Sequence, residues 1–384
     1  MAVIFNIQEA VKLSQFNVLQ EPIQTLVNGQ TEQWEKNSFI DKIFVMRTTD
    51  KFQEEFRTTT SMGGFRPTED LEPPHISDFD EGYRKAFRTQ IWTNSFVVSQ
   101  QALEDNKGIE INAEATGFIK GYGRTREQYA FAMLAGALKG QIDFEGKKFD
   151  CRGADTIDGD IEGTKQIFFH NKHKAARGVH GGNVTTPDQS NKFYVDGGIN
   201  LSEGGATAKL ADIVGQVASK MQNYTNDNGE ILLVNPDTVI LPNHYSFKTA
   251  LLTALKSDKT AAMGGNAINL IAGNYNIVIT PYLNRFDGFG EADQSFIMMD
   301  SSYNKDVLGA VWFDRVPLSI KSYIDENTGA NVWSGRARYG AGFNNFRPFA
   351  YCATGANASA IAKSDADTLT PNPLDGGASL VLGI

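Results

Sequence analysis

The segment from Phe56 to Tyr83, FRTTTSMGGFRPTEDLEPPHISDFDEGY, most constrains what this chain can fold into. It holds a Gly-Gly pair, Pro67, Pro73, Pro74 and many acids. Strand-like runs flank it, IFVMRTT before and RKAFRTQIWTNSFVV after, and in the second Phe87, Ile91 and Phe96 are separated by polar residues. A loop of more than about 15 residues inside a compact domain is unusual and is often functional. A long two-stranded excursion with a polar tip is marginal in isolation. Stabilisation of this one is therefore expected from contact with another chain.

Charge excludes a basic nucleic-acid binder. The 384 residues carry 36 Lys and Arg against 45 Asp and Glu, a formal net charge of -9, and the pI is 5.2, whereas such domains show a pI above about 9. The 41% of apolar residues supplies packed cores and excludes wholesale disorder. Glycine is abundant at 37 residues, which implies many turns or a backbone that bends. Cys151 and Cys352 cannot build a disulfide framework and read as free thiols of a reducing compartment. The N-terminus lacks the charged and apolar regions of a secretory signal. No stretch approaches the roughly 20 apolar residues of a membrane span. The expectation is a soluble α and β protein, intracellular when made, with no membrane partner.

Residues 1–44 read as an arm, with Ile7, Val11 and Val18 on a short amphipathic helix that stops before Pro22. SQQALEDN (99–106) reads as a helical segment capped by Ser99. A longer helix follows in TREQYAFAMLAGALKGQ, capped by Thr125, with Tyr129, Met133, Leu134 and Leu138 as its apolar stripe. Gly117, Gly121 and Gly123 weaken its upstream turns. Residues 143–205 are turn-rich, with KQIFFH and KFYV as short strands. From Thr207 a compact α/β block begins: a helix over TAKLADIVGQVASKMQNY, buried strands in ILLV and TVILP, a helix in SFKTALLTAL, and strands in NYNIVITPYL and QSFIMMD. GAVWFDRVPLSIKSYIDENTGANVWSGRARYGAGFNNFRPFAY then runs as consecutive strands around an ENTG turn. From Thr354 the chain is a flexible or clamped extension.

Enzymatic signatures are sparse. P-loop, G-x-S-x-G, HExxH and CxxC patterns do not occur, and GYGRTR lacks the third glycine of a dinucleotide site. His170, His173 and His180 cluster in FFHNKHKAARGVHGG, and a metal there would use two of them with Cys151 or a nearby Asp. The spacing matches no closed zinc pattern, and Lys172, Lys174 and Arg177 disfavour a cation; the bland alternative is a solvated loop. DGDIEG (158–163) imitates the opening of a calcium loop, but Phe169 stands where the bidentate Glu belongs. Trp92, Trp312 and Trp333 lie in strand-like runs, where core packing is the expected role. Catalytic, cofactor-binding and metal residues are accordingly set at none.

The order of parts resembles the major capsid proteins of tailed bacteriophages, over about residues 1–353. LLVNPDTVILPN, NYNIVITPYL, FIMMD and VPLSIKSYIDENTGANVWSGRARYGAGFNNFRPFAY look similar to stretches of that family. The resemblance implies an α+β chain with the Hong Kong 97-like capsid fold: an N-terminal arm (1–44), an E-loop (45–98), a P-domain (99–206) with a spine helix at about 112–141, a central α/β A-domain (207–323), return strands to the P-domain (324–353) and a C-terminal tail (354–384). It implies a virion structural protein that assembles with itself into hexamers and pentamers of an icosahedral head around double-stranded DNA, without sequence-specific DNA binding. Assembly would take place in the bacterial host cytoplasm with a separate scaffolding protein, a portal and, in some heads, decoration proteins. Because arm-like sequence starts at Met1, no large N-terminal processing is expected.

In such shells the arm and E-loop lie across neighbours, so Phe5, Phe16, Met62, Gly63, Gly64, Phe65, Arg66 and Leu71 become inter-subunit contact candidates. Some members also form Lys-Asn cross-links; Lys51 or Lys85 would face Asn344 or Asn345, against a plainer reading as surface Lys and turn Asn. Two alternatives stand beside this one: an encapsulin-type compartment holding cargo enzymes, and an unrelated metal-dependent enzyme built on the His cluster. Negative-stain images separate the shells from the enzyme, and nucleic acid against protein cargo separates the two kinds of shell.

Overall fold

The computed structural model describes residues 38–371 apart from 60–64, 66, 75, 77–80, 100, 102–107, 155–166, 174–186, 227 and 258–270. In chain order the elements are α1 (Ile40–Ile43), β1 (Val45–Thr48), β2 (Gln53–Thr59), β3 (Glu81–Arg88), β4 (Gln90–Val98), α2 (Gly108–Gly136), β5 (Gln141–Phe144), β6 (Lys147–Asp150), β7 (Lys192–Val195), α3 (Ala206–Gln222), β8 (Thr238–Pro242), α4 (Tyr245–Lys256), β9 (Asn276–Thr280), β10 (Ser295–Met299), α5 (Ser301–Val307), β11 (Ala310–Ile324), β12 (Asn331–Phe343), β13 (Phe349–Ala353), α6 (Ala360–Lys363) and β14 (Asp367–Leu369). The class is α+β, as expected from the sequence.

A six-stranded mixed sheet, ordered β14-β7-β13-β10-β8-β9, forms the centre. Successive side chains of a strand point to opposite faces, and here both faces are covered. Phe296, Met298, Ala350 and Cys352 pack with Leu210, Val214 and Val217 of α3 and Leu251 of α4. Ile297, Met299, Phe349 and Tyr351 face the other way, into a cluster with Phe131, Leu134 and Leu138 from the α2 end of the chain. That is why SFIMM and FAYCA are apolar throughout rather than alternating.

A second sheet is ordered β1-β11-β12-β4. The β11–β12 hairpin turns where Asp325 accepts from Asn327 N and Thr328 Oγ1. Register shifts in β11 between Asp314 and Val316, and between Val316 and Ser319, surround Pro317. Proline has no N–H for the ladder, so it sits at a bulge, on the stretch of β11 beyond the reach of β1. IFVMRTT was expected to flank the long loop as the partner of the return run. Instead β1 pairs in parallel with β11, Val45 opposite Val311, while β2 pairs with β3 and β4 pairs with β12. The aromatic stack Trp92–Tyr339, 4.9 Å between ring centres, draws the return run onto β12.

The long helix departs from expectation in two ways. It starts well upstream of Thr125, whose Oγ1 donates to Gly121 O from inside the helix rather than capping it. Interior glycines cost about 1 kcal/mol each relative to Ala, and burial of Ala115, Phe118 and Ile119 against Val98 and Trp333 offsets that. From Tyr129 to Ala135 every residue is buried, so this half is apolar all round instead of striped. Residues 100 and 102–106 of the helical segment expected at 99–106, the 1–37 part of the arm and DGDIEG lie outside the described residues.

Two expected strands are not seen among the described residues. In the described part of KQIFFH, residues 167–170, Ile167 makes an isolated bridge to Arg152, while Phe168 and Phe169 turn into the core. In ILLV only Ile231 bridges, to Thr225, and Leu233 has a left-handed backbone and an exposed side chain. The stretch from Thr354 is clamped as far as residue 371: α6 packs on the sheet, and β14 pairs in parallel with β7. Trp312 and Trp333 are fully buried, as core packing requires. Among the described residues no helix is long and apolar enough to cross a membrane.

Candidate functional site

The strongest candidate is a surface, not a pocket. The β2–β3 hairpin joins no other sheet. Its root is held by aromatic packing: Phe56, Phe87 and Phe313 lie with ring centres 5.4 to 5.8 Å apart. Gly342 makes this possible, because a Cβ there would stand 2.4 Å from the Phe87 ring. Beyond the root the described residues 65, 67–74 and 76 are all exposed. Phe65 and Leu71 are fully exposed and Ile76 nearly so. Leu71 is in the left-handed region, φ 67°, at a turn where Glu72 N donates to Glu69 O. Three large apolar side chains thus stand exposed along one loop. Of the contact candidates named from the sequence, Phe65 and Leu71 are therefore placed at the exposed tip. Phe5, Phe16, Met62, Gly63, Gly64 and Arg66 lie outside the described residues.

The outer face of the second sheet carries a feature the sequence reading missed. Strand β12 is regular, so Arg336 and Arg338 share the face of Gly340 and Gly342, onto which the hairpin root packs. Lys321, paired with Ser334, lies on the same face, and Arg315 sits beside Arg338 at the bulge. No carboxylate among the described residues lies within ion-pair distance of these four cations. Arg315 Nη1 and Arg338 Nε have no hydrogen-bond partner and are shielded from water. Desolvation, then the charges of Arg315 and Arg336, hold the Arg338 guanidinium below its ordinary pKa. The signal was present as Arg-x-Arg in a period-2 strand, but alternation alone does not reveal which face is open.

The other candidates are accounted for by packing. His173 is buried, stacks on Phe346 at 3.7 Å and shares a 2.9 Å hydrogen bond with Asn191 Oδ1. His170 is partly exposed near Asp365, and His180 lies outside the described residues. Among the described residues no group of three His, Cys, Asp or Glu could hold a metal ion. Lys51 lies near Glu54, Lys85 Nζ lies 2.9 Å from Asp150, and Asn344 is buried with its amide donating to Val307 O. An open groove of about 470 Å³ runs along the β9 edge, lined by Phe39, Lys42, Ile277 and Lys305. It lies where the described chain begins: Ser38 Oγ and Phe39 N both donate to Glu127 Oε1 on α2.

Residues 174–352 match the model of a family described as phage capsid protein. Over this span the chain is similar to phage capsid proteins. The span runs from before β7 through β13, and so takes in α3, α4 and the β11–β12 hairpin that bears the arginines. The resemblance stated from the sequence is thereby borne out over this span. No curated protein matches the chain. Solved structures similar to it include the capsid of an empty GTA particle, at 13% identity over 82% of this chain and 89% of that one, TM-score 0.44. The mature capsid of bacteriophage PhiM1 matches at 13% identity over 81% and 84%, TM-score 0.44. A chain of Mycobacterium phage Ogopogo matches at 12% identity over 82% and 91%, TM-score 0.41.

Proposed function

We propose that the chain is the major head protein of a tailed phage, assembling with itself into hexamers and pentamers of an icosahedral shell around double-stranded DNA. The capsid-family match over residues 174–352 carries this reading. In it the β2–β3 hairpin acts as the E-loop, α2 as the spine helix of the P-domain, and the six-stranded sheet as the core of the A-domain, in the Hong Kong 97-like arrangement. The exposed Phe65, Leu71 and Ile76 support an inter-subunit role for the hairpin, because apolar surface of this kind gains free energy only when covered. The acidic balance suits a wall that releases DNA as it slides during filling. Scaffolding, portal and decoration partners belong to the same proposal.

The test is direct. The chain, expressed alone and with a scaffolding protein, is expected to yield uniform hollow particles in negative-stain images. A monodisperse monomer or small oligomer under both conditions would overturn the reading.

A further inference from the structure

We propose that residues 23–27 of this chain add a strand to the open edge of β9, in the groove that begins at Phe39 of the same chain. The proposal goes beyond the capsid reading and does not depend on assembly.

β9 is an edge of the six-stranded sheet. It pairs in parallel with β8, Asn276 opposite Thr238, and Asn276 N donates to Asp237 O at 2.7 Å. Backbone groups alternate along a strand, so Val278 and Thr280 also face β8, while Ile277 and Ile279 turn N–H and C=O to the other side. Among the described residues no strand pairs with that side. Ile277 and Ile279 are partly buried and line the groove of about 470 Å³. Backbone groups in such a place are costly to leave unbonded, and an extended segment supplies matching ones without altering the sheet.

The chain itself brings that segment. Its described part begins at the groove: Phe39 lines the wall, and Glu127 accepts from Ser38 Oγ and Phe39 N. Upstream, residues 22–29 read PIQTLVNG. Pro22 suits the first position of a strand, Ile23, Thr25 and Val27 are β-branched at a period of two, and Asn28-Gly29 is a turn pair. The five residues 23–27 equal β9 in length. The tether, residues 28–37, spans up to about 33 Å, roughly twice the 17 Å of a five-residue strand, so all of β9 is within its reach. A short tether sets an effective concentration of about millimolar, so in dilute solution the chain's own segment outcompetes that of a second copy. Charge agrees: Lys42 and Lys305 line the groove, and the tether carries Glu32 and Glu35 against Lys36.

A photo-cross-linker at the exposed Asn276, which also lines the groove, tests this on the full, dispersed chain. On irradiation, Asn276→p-benzoylphenylalanine is expected to join residues 20–30 in a product of monomer mass, the link being located by peptide mass spectrometry. A link to residues 20–30 found only at dimer mass assigns the groove to a second copy and overturns the proposal. Links only to other segments, such as residues 258–270, or no link at all, also overturn it.

Hydrogen exchange gives an independent readout. T25P/L26P removes two consecutive N–H donors, so one of them faces β9 whichever way the segment is turned. The amides of Ile277 and Ile279 are expected to exchange at least tenfold faster in T25P/L26P than in the wild type. Those of β10, two strands inward, should exchange as before. Equal exchange of Ile277 and Ile279 in the two proteins overturns the proposal. Neither measurement reads shells, so failure here leaves the head-protein reading standing, and failure to form shells leaves this contact standing.

Discussion

Arg126 of α2 donates to Asp314 of β11 at 3.0 Å, and this pair fastens the long helix to the second sheet just before the bulge. The guanidinium also bonds the Tyr122 hydroxyl and lies over the rings of Trp312 and Tyr339. Burial alone would lower its pKa; Tyr122 and Asp314 outweigh burial and raise it. Removing one member of a buried pair leaves the other charge uncompensated, at about 3–5 kcal/mol. Asp314 is partly exposed, so R126A is expected to cost about 3 kcal/mol, the low end of that range. A denaturant midpoint within error of the wild type would refute this.

Opposite outcomes are expected at two glycines. Gly198 has φ 67°, and a Cβ there would meet the Ala356 backbone at 2.2 Å, which cannot yield as a side-chain end can. G198A should therefore cost more than about 1 kcal/mol and loosen the clamp of the C-terminal stretch. Gly121 lies inside α2 with nothing within 4 Å of an added Cβ. G121A should stabilise the chain by up to about 1 kcal/mol. Melting curves of the two variants are expected to move in opposite directions.

Lys192 makes the C-terminal clamp pH-sensitive. Its buried ammonium donates to Ile361 O at 2.8 Å and Ser364 O at 2.7 Å. Burial lowers its pKa from 10.5 to about 8, with Asp365 opposing. The unfolded chain thus binds more protons than the folded one between those values, and stability rises with pH across that window. The cost of the buried charge is full below pH 8 and gone above about 10.5. Relative to K192M, the wild type should gain about 1 kcal/mol between pH 7.5 and 9. A difference independent of pH would refute the assignment. Above pH 9 the thiols act the other way, because Cys151 and Cys352 are held neutral in the fold, so the comparison belongs below that point.

Those thiols give a separate test. Both are buried, and burial raises both well above the ordinary thiol pKa. The thiolate is the reactive species, so neither should react with a disulfide reagent over hours in the native chain, and both should react at once in denaturant. Rapid titration of either in the native protein would contradict the packing described for β13 or for the Cys151–Met133 contact.

Period and composition were enough for the local elements whose stability is local. α3, α4, β8, β10 and the β11–β12 hairpin fall where their apolar spacing and turn residues put them, because each buries a face that the pattern itself defines. The same holds for the long hairpin, whose inability to bury its tip could be read from its acids and prolines. Pairing was not legible. Whether IFVMRTT joins the return run or β11 depends on contacts between residues more than 200 positions apart, such as Val45 with Val311. The upstream half of α2 was hidden for the same reason: its glycines disfavour helix locally, and Trp333, far along the chain, reverses the balance. The sequence by itself determined that this is an acidic α+β chain with a protruding loop it cannot bury. Only the tertiary structure decided which strand face stays open and gathers Arg315, Lys321, Arg336 and Arg338, since a period of two assigns residues to faces while long-range packing alone covers one of them.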